Sequence, residues 1–342
     1  MVHHHALFTR DKILFLLDYL YMLNRRLCIA PMLDWTDRFC RYFLRLISRR
    51  ALLYTEMVTT GALLNGNRER LLNFDPSEHP LALQLGGSDP KQLSQAARVG
   101  QGWGYDEINL NLGCPSDRVQ SGRFGACLMS EPELVADCIK AMHDSVSIPV
   151  TVKQRIGIDH LDSYQLLCDF VGKLSLAGSE TFIIHARKAW LQGLSPKENR
   201  EIPPLCYATV YQLKRDFPQL EIIINGGITS IDQCEEHLSR VDGVMLGREA
   251  YHNPWILAQA DARLFGEATA APTRHQVIER LLPFVESELA AGVPLNRITR
   301  HILGLFHGQP GARAWRRYLS THSYRQNADS DVILRAAAQI TA

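Results

Sequence analysis

The sequence predicts an α/β fold, a TIM (β/α)8 barrel followed by an all-helical carboxyl-terminal domain, and three observations predict it. Eight short β-rich runs alternate with helical patterns between Leu27 and Ala260, close to the roughly 250 residues that eight β/α units usually occupy. Five of those runs break at a glycine or at a residue able to do chemistry: Cys114, Lys153, His185, the Gly226-Gly227 pair and Arg248. After Ala268 to Thr273 the strand signal disappears and only helical periodicity remains. An open doubly wound sheet is the rival, but no G-x-G-x-x-G follows the first strand.

In chain order, residues 1–26 are read as an extension outside the fold. Ile13 to Leu23 is apolar around Asp18, yet a membrane span needs roughly 20 residues and no small-residue cleavage site follows. Either Met1 or Met22 serves as the native start, and His3 to His5 lack the partners a metal site needs. The barrel is assigned to residues 27–265. Its strands are Leu27 to Ala30, Leu52 to Thr55, Leu81 to Leu85, Glu107 to Leu112, Val150 to Lys153, Thr181 to His185, Glu221 to Asn225 and Gly243 to Leu246. Its helices are Arg38 to Arg49, Pro90 to Gln101, Glu131 to His143, Ser163 to Leu176, Tyr207 to Asp216 and Ser230 to Leu238. Several open on a capping side chain or an early proline, as at Asp89-Pro90 and Ser230, which satisfies or removes the orphan amides of a helix start. The helical domain, residues 274–342, contains His275 to Leu289, Leu295 to Leu305, Ala312 to Ser320 and Asp331 to Ile340.

The 342 residues carry a formal net charge of +1. Whole-chain electrostatics therefore favour neither nucleic acid nor a membrane, and any such partner must be read from local charge. The eight cysteines stand singly, with no C-x-x-C pair, which suits free thiols in a reducing cytoplasm better than zinc or disulfides. No metal site, no membrane partner and no obligate protein partner is expected.

The strand ends carry the chemical signal. Cys114 follows Gly113 and precedes Pro115 at the end of a strand, unlike Cys40, Cys138, Cys168 and Cys234, which sit on helical patterns as small hydrophobes. It could act as a nucleophile, which needs a nearby base, or as a proton donor, which needs only proximity to the reacting carbon. Lys153 ends an apolar strand, where an ammonium needs a structural salt bridge, an anion or an electron-rich ring. His185 is either a satisfied core group or a site residue. Gln84 interrupts an apolar strand, and its amide needs partners that a planar heterocycle could supply. In barrels of this class the loops after strands seven and eight commonly form a phosphate site. Asn225-Gly226-Gly227 and Gly247-Arg248 occupy those places and favour phosphate binding over a bare tight turn.

Several ordered motifs coincide with one family. Ala30 to Asp37, Tyr54 to Met57, Gln84 to Gly87, Asn109 to Pro115 and Ile224 to Ile228 strongly resemble the tRNA-dihydrouridine synthases. Phe182 to Leu191 and Ser195 to Arg200 resemble its bacterial A-type branch, and the likeness runs from Leu27 to about Ala338. The resemblance implies an FMN-binding barrel in which Pro31, Met32 and Leu33 lie against the isoalloxazine ring. It further implies that Gln84, Lys153 and His185 contact the flavin's polar atoms, and Asn225, Gly226, Gly227, Gly247 and Arg248 its phosphate. By the same likeness, NADPH supplies hydride through FMN N5 to C6 of a uridine at position 20 or 20a of the tRNA D-loop. Cys114 then gives a proton to C5, and Asn111 reads the edge of the extruded base. The alternatives are an FMN barrel reductase of a free small molecule and a non-catalytic tRNA-binding protein.

Local charge supports an RNA partner. From Leu289 to Ala328 there is no acidic residue, while Arg313, Arg316 and Arg317 share one helix face at i, i+3 and i+4. A second basic group, Arg187, Lys188, Lys197 and Arg200, lies in the long segment after strand six. The resemblance implies that Lys197, Arg200, Arg313 and Arg316 contact tRNA.

Overall fold

The computed structural model of the protein describes residues 23–116 and 122–340. Residues 1–22, and with them Met1, Met22 and His3 to His5, lie outside the described residues.

The described residues contain nine strands: β1 (Leu27–Ile29), β2 (Leu52–Tyr54), β3 (Val58–Thr59), β4 (Leu81–Gly86), β5 (Glu107–Leu112), β6 (Val150–Arg155), β7 (Thr181–His185), β8 (Glu221–Asn225) and β9 (Gly243–Leu246). Every pairing is parallel, and β2–β4 and β1–β9 close the ring, so eight strands form the predicted barrel. β3 is an addition that pairs with Leu85 and Gly86 at the end of β4. Two residues are too few to show a period-2 pattern, so the sequence does not announce it.

The alternation of side chains along each strand builds two cores. Outward-facing Ile108, Leu110, Leu112, Val152, Ile184, Ile222 and Ile224 pack into the main core with the helices. A smaller cluster, Cys28, Ala30, Leu52, Tyr54, Ala82, Ile183, Ile223 and Met245, fills one side of the barrel interior. The helices begin where capping chemistry allows. Asp37 accepts from the Phe39 and Cys40 amides to open Arg38–Ile47, and Asp89 caps Pro90–Trp103, which ends at left-handed Gly104.

Beyond residue 273 the chain forms helices Arg274–Ala290, Leu295–Thr299, Ala312–His322 and Asp331–Ala337. The second is shorter than the predicted Leu295 to Leu305. Past Thr299 the chain runs in turns, and at Gly304 it backs onto the His252 carbonyl so closely that a Cβ would lie 2.5 Å from that oxygen. These helices dock on the first barrel helix: Phe284 stacks on Tyr42 at 3.9 Å, and Asp37 pairs with Arg300 at 2.7 Å. The cap of a barrel helix thus also anchors the following layer.

Arg25, set aside by the sequence with the extension, lies inside the fold. It is 7% exposed and donates from Nε to Glu107 at 2.7 Å and from Nη1 to Glu221 at 2.8 Å, closing the barrel floor. Burial alone would lower its pKa, but the Glu107 and Glu221 carboxylates reverse the sign and hold the guanidinium proton more tightly than usual. Its partners are 82 and 196 residues away, so no local pattern reveals them. Removing one partner of a buried ionic cluster leaves the others uncompensated. Arg25→Ala is expected to lose about 3–5 kcal/mol in urea unfolding, with partial recovery when Glu107→Gln is added.

Candidate functional site

The thiol segment is held from inside the barrel. The Asn111 side-chain oxygen accepts from the backbone amides of Gly113 at 3.0 Å and Cys114 at 3.1 Å, turning the chain sharply off β5. The Asn111 amide donates to Gln84 Oε1 at 2.8 Å, and Gln84 Nε2 donates to Asn109 Oδ1 at 2.8 Å. Asn109 Nδ2 donates to Thr151 Oγ1 at 2.8 Å, and Thr151 Oγ1 donates to Glu107 at 2.5 Å. One chain of donors therefore runs from the Cys114 amide down to the Arg25–Glu107 pair. Gln84, proposed from sequence to await a heterocycle, already has Asn109 and Asn111 as partners. Asn111 has its oxygen engaged by two amides, which leaves one N–H with which to read a base.

Cys114 itself is half-buried, with its Sγ 3.5 Å from Ser116 Oγ. Of its neighbours at the strand ends, Lys153 carries an amine and His185 an imidazole. Lys153 Nζ donates to Asn225 Oδ1 at 3.2 Å, and Asn225 Nδ2 donates to the Met245 carbonyl at 2.7 Å. Desolvation and then the Arg155 charge lower the Lys153 pKa to about 8. His185 Nδ1 is buried and has no hydrogen-bond partner among the described residues. Desolvation, followed by Arg155, Lys153 and Arg187, holds its imidazole neutral well below the ordinary range.

Gly226 and Gly227 adopt φ of 118° and 73°, conformations that favour glycine. A Cβ on Gly226 would stand 3.3 Å from His185 Nε2, and one on Gly227 would collide with Leu205. Tyr207 Oη donates to the Gly226 carbonyl at 2.7 Å and fixes that turn. Gly247 is open, with nothing near a built Cβ. Arg248 pairs with Glu201 at 2.7 Å, a partner the sequence did not suggest. Pro31, Met32 and Leu33 follow β1. Met32 packs on the interior cluster, its amide donates to Thr36 Oγ1 at 2.9 Å, and Leu33 is 62% exposed. Glu56 Oε1 accepts from the amide of Asp34 at 2.5 Å, and Asp34 has a left-handed φ of 65°.

The basic groups lie on two elements. Lys197 and Arg200 are exposed on the segment after β7, around the 3-10 turn Glu198–Arg200. Buried Asn199 ties that segment together, bonding the backbone of Trp190 on both sides and the Leu194 carbonyl. Arg313, Arg316 and Arg317 are exposed on helix Ala312–His322, whose other face buries Trp315 and Leu319. The structure thus groups Cys114, Lys153, His185, Asn225, Gly226 and Arg248 at strand ends, with Lys197 and Arg200 on the adjoining segment. Arg155 and Glu201 are the polar members that sequence reading missed. Arg155 lies two residues after Lys153, so the period-2 rule could have found it.

The described residues contain no helix long and apolar enough to cross a membrane. The model of the dihydrouridine synthase family matches residues 28–340. A tRNA-dihydrouridine(20/20a) synthase of Salmonella typhi is 62% identical over 312 residues, covering 91% of this chain and 94% of that protein. The Escherichia coli K12 protein of the same name is 61% identical, covering 91% and 90%. A Synechocystis protein of the same name is 60% identical over 310 residues, covering 91% and 93%. Among solved structures, a 2-naphthoyl-CoA reductase complex superposes with a TM-score of 0.54 at 10% identity, over 69% of this chain and 49% of that one, which speaks to the fold alone.

The lowered Lys153 pKa has a consequence for stability. Its ordinary value is 10.5 and its folded value about 8, so the unfolded chain holds more protons between these two and stability rises with pH across that window. Below the folded value the charged ammonium imposes its full cost. Lys153→Met is expected to stabilise the protein by about 2 kcal/mol at neutral pH. In urea titrations at a series of pH values this gain should fade as the pH rises from 8 to 10.5.

Proposed function

The chain belongs to the dihydrouridine synthase family, and from that premise we propose that it reduces uridine at positions 20 and 20a of the tRNA D-loop to 5,6-dihydrouridine, with FMN as prosthetic group and NADPH as reductant. The observation that carries this reading is a half-buried thiol at a barrel mouth that has cations among its described neighbours. Lys153, Arg155 and Arg200 all lie within electrostatic reach of Cys114.

The residues present fit FMN. His185 Nδ1 is buried and unpartnered among the described residues, Lys153 presents an ammonium, and the left-handed glycines after β8 leave their backbone uncovered by a Cβ. Pro31, Met32 and Leu33 would flank its ring, with Gln84, Lys153 and His185 at its polar edge. Asn225, Gly226, Gly227, Gly247 and Arg248 would hold its phosphate. When bound, FMN supplies hydride chemistry that NADPH renews.

The chain's own residues do the rest. Cys114 donates its proton to C5 of the base as C6 gains hydride, and the thiolate is then reprotonated from solvent. Asn111 fixes the thiol segment through its oxygen and offers its remaining N–H to the base. Lys197, Arg200, Arg313 and Arg316 bind the tRNA backbone and set which uridine arrives, while the base itself is extruded from its stack. The substrate and the free cysteines among the described residues suit a cytoplasmic protein, with no protein partner required.

Cys114→Ala should retain tRNA binding and lose about a hundredfold or more in dihydrouridine formation, read by mass spectrometry of tRNA nucleosides; undiminished product would overturn the proton-donor role. Free uridine should be a poor substrate beside unmodified tRNA. Robust turnover of the nucleoside would instead identify a small-molecule reductase. Arg316→Ala should weaken tRNA binding and reduce the slope of log affinity against log salt by about one, with NADPH oxidation by the bound flavin retained.

A further inference from the structure

Arg155 ends β6 on the same inward face as Lys153 and is 4% exposed. Its Nε donates to the Gly113 carbonyl at 2.9 Å, and its Nη1 donates to the carbonyls of Lys188 at 3.0 Å and Asn199 at 2.9 Å. All three acceptors are neutral backbone oxygens. Among the described residues no carboxylate pairs with it, desolvation lowers its pKa to about 10, and a buried guanidinium so placed is costly to keep. Arg25, by contrast, faces two carboxylates and Arg41 pairs with Glu78 at 2.7 Å, while Arg45 on the first barrel helix resembles Arg155 in bonding backbone carbonyls, those of Ser48, Ala51, Glu78 and Pro80.

What Arg155 joins explains its presence. Gly113 immediately precedes the thiol, and Asn199 immediately precedes Arg200. The two segments leave different strands, β5 and β7, and the guanidinium bridges them with a fork that lysine cannot reproduce. The thiol segment is therefore pinned twice, by Asn111 from within the barrel and by Arg155 from the side of the basic segment. We propose that Arg155 is a positioning residue, which locks the thiol segment and the RNA-binding segment after β7 into one register so that a uridine delivered by the second meets the thiol of the first. This rests on the functional reading above only for the identity of the substrate.

The test uses the full chain with bound FMN and the variants Arg155→Met and Arg155→Lys. Hydrogen exchange read by mass spectrometry should speed up by about tenfold or more in both 109–116 and 186–200 in Arg155→Met, with the barrel floor unchanged. In single-turnover mixing, the reduced flavin of Arg155→Met should be reoxidised by unmodified tRNA about a hundredfold more slowly, the scale of loss set by a misplacement of roughly 1 Å. Its tRNA affinity should stay within about threefold, a shift of under 1 kcal/mol. Arg155→Lys should recover part of both effects, since one carbonyl bond and the charge remain. Loosening of only one segment or of neither would overturn the proposal, as would rate and affinity falling in proportion. If tRNA fails to reoxidise the parent protein, the functional reading falls while hydrogen exchange still decides the tie.

Discussion

A single directed chain of hydrogen bonds through the barrel interior is the constraint on which the rest depends. It starts at the Cys114 amide, passes through Asn111, Gln84, Asn109 and Thr151, and ends on the Glu107 carboxylate beside Arg25. Each member donates downward, so each carboxamide is fixed in one orientation by the next. A buried carboxamide left without a partner costs about 1–3 kcal/mol, and this chain avoids that at every step. It also spans three neighbouring strands, β4, β5 and β6. A one-residue slip of any of them would turn its members into the helix layer and break the chain, so the ladder specifies register as well as supporting the thiol.

The interior is divided accordingly. The side lined by β1, β2, β7, β8 and β9, joined by Ala82 at the start of β4, holds the apolar cluster around Tyr54, Ile183 and Met245, while the rest of β4 with β5 and β6 carries the polar ladder. Tyr54 joins the halves, since its hydroxyl donates to Glu107 at 2.6 Å. Along the barrel axis the electrostatics differ in kind. At the floor, charges are paired: Arg25 meets Glu107 and Glu221. At the mouth, Lys153 and Arg155 are bonded to neutral oxygens and His185 is held neutral by the burial and positive charge around it. The floor is charge-paired, whereas among the described residues Lys153 and Arg155 at the mouth face neutral oxygens, a difference in kind between the two faces of the barrel.

How much of this could be read from the sequence depends on whether a signal is local. The eight barrel strands were legible because each is a short apolar or β-branched run with a clear break. The grouping of Cys114, Lys153, His185 and the Gly226 turn was legible because each interrupts such a run at its carboxyl end, and a parallel barrel brings all such ends to one face. Non-local partnerships were not legible. Arg25 looks like part of a dispensable extension until Glu107 and Glu221 are brought to it, and nothing near Arg248 in sequence announces Glu201. Gln84 shows the subtler limit: its need for partners could be inferred, but their identity as Asn109 and Asn111 required the register of β4 on β5. The helix read as Leu295 to Leu305 was overextended because its apolar pattern persists through the turns that follow Thr299, where the close approach of Gly304 to the His252 carbonyl is not visible in sequence.

Charge distribution also explains why a net charge of +1 conceals a polyanion partner. Acidic side chains are spent on structural pairs that tie layers together: Glu288 holds Arg38, Asp37 holds Arg300, and Asp232 and Glu235 hold Arg263. Those pairs cancel in the sum and contribute little field beyond a Debye length of about 8 Å. Arg313, Arg316 and Arg317 stand outside them, on a helix whose opposite face is anchored by Trp315 packed edge-on against Phe306 at 5.0 Å. A rigid helix with arginines presented from one face would lose little conformational entropy on meeting an anion. The same logic applies at the barrel mouth, where cations bonded only to neutral oxygens retain charge that an anion can neutralise. Both regions are therefore left electrostatically incomplete by the fold itself, and a bound anion that completes them would stabilise the protein by mass action.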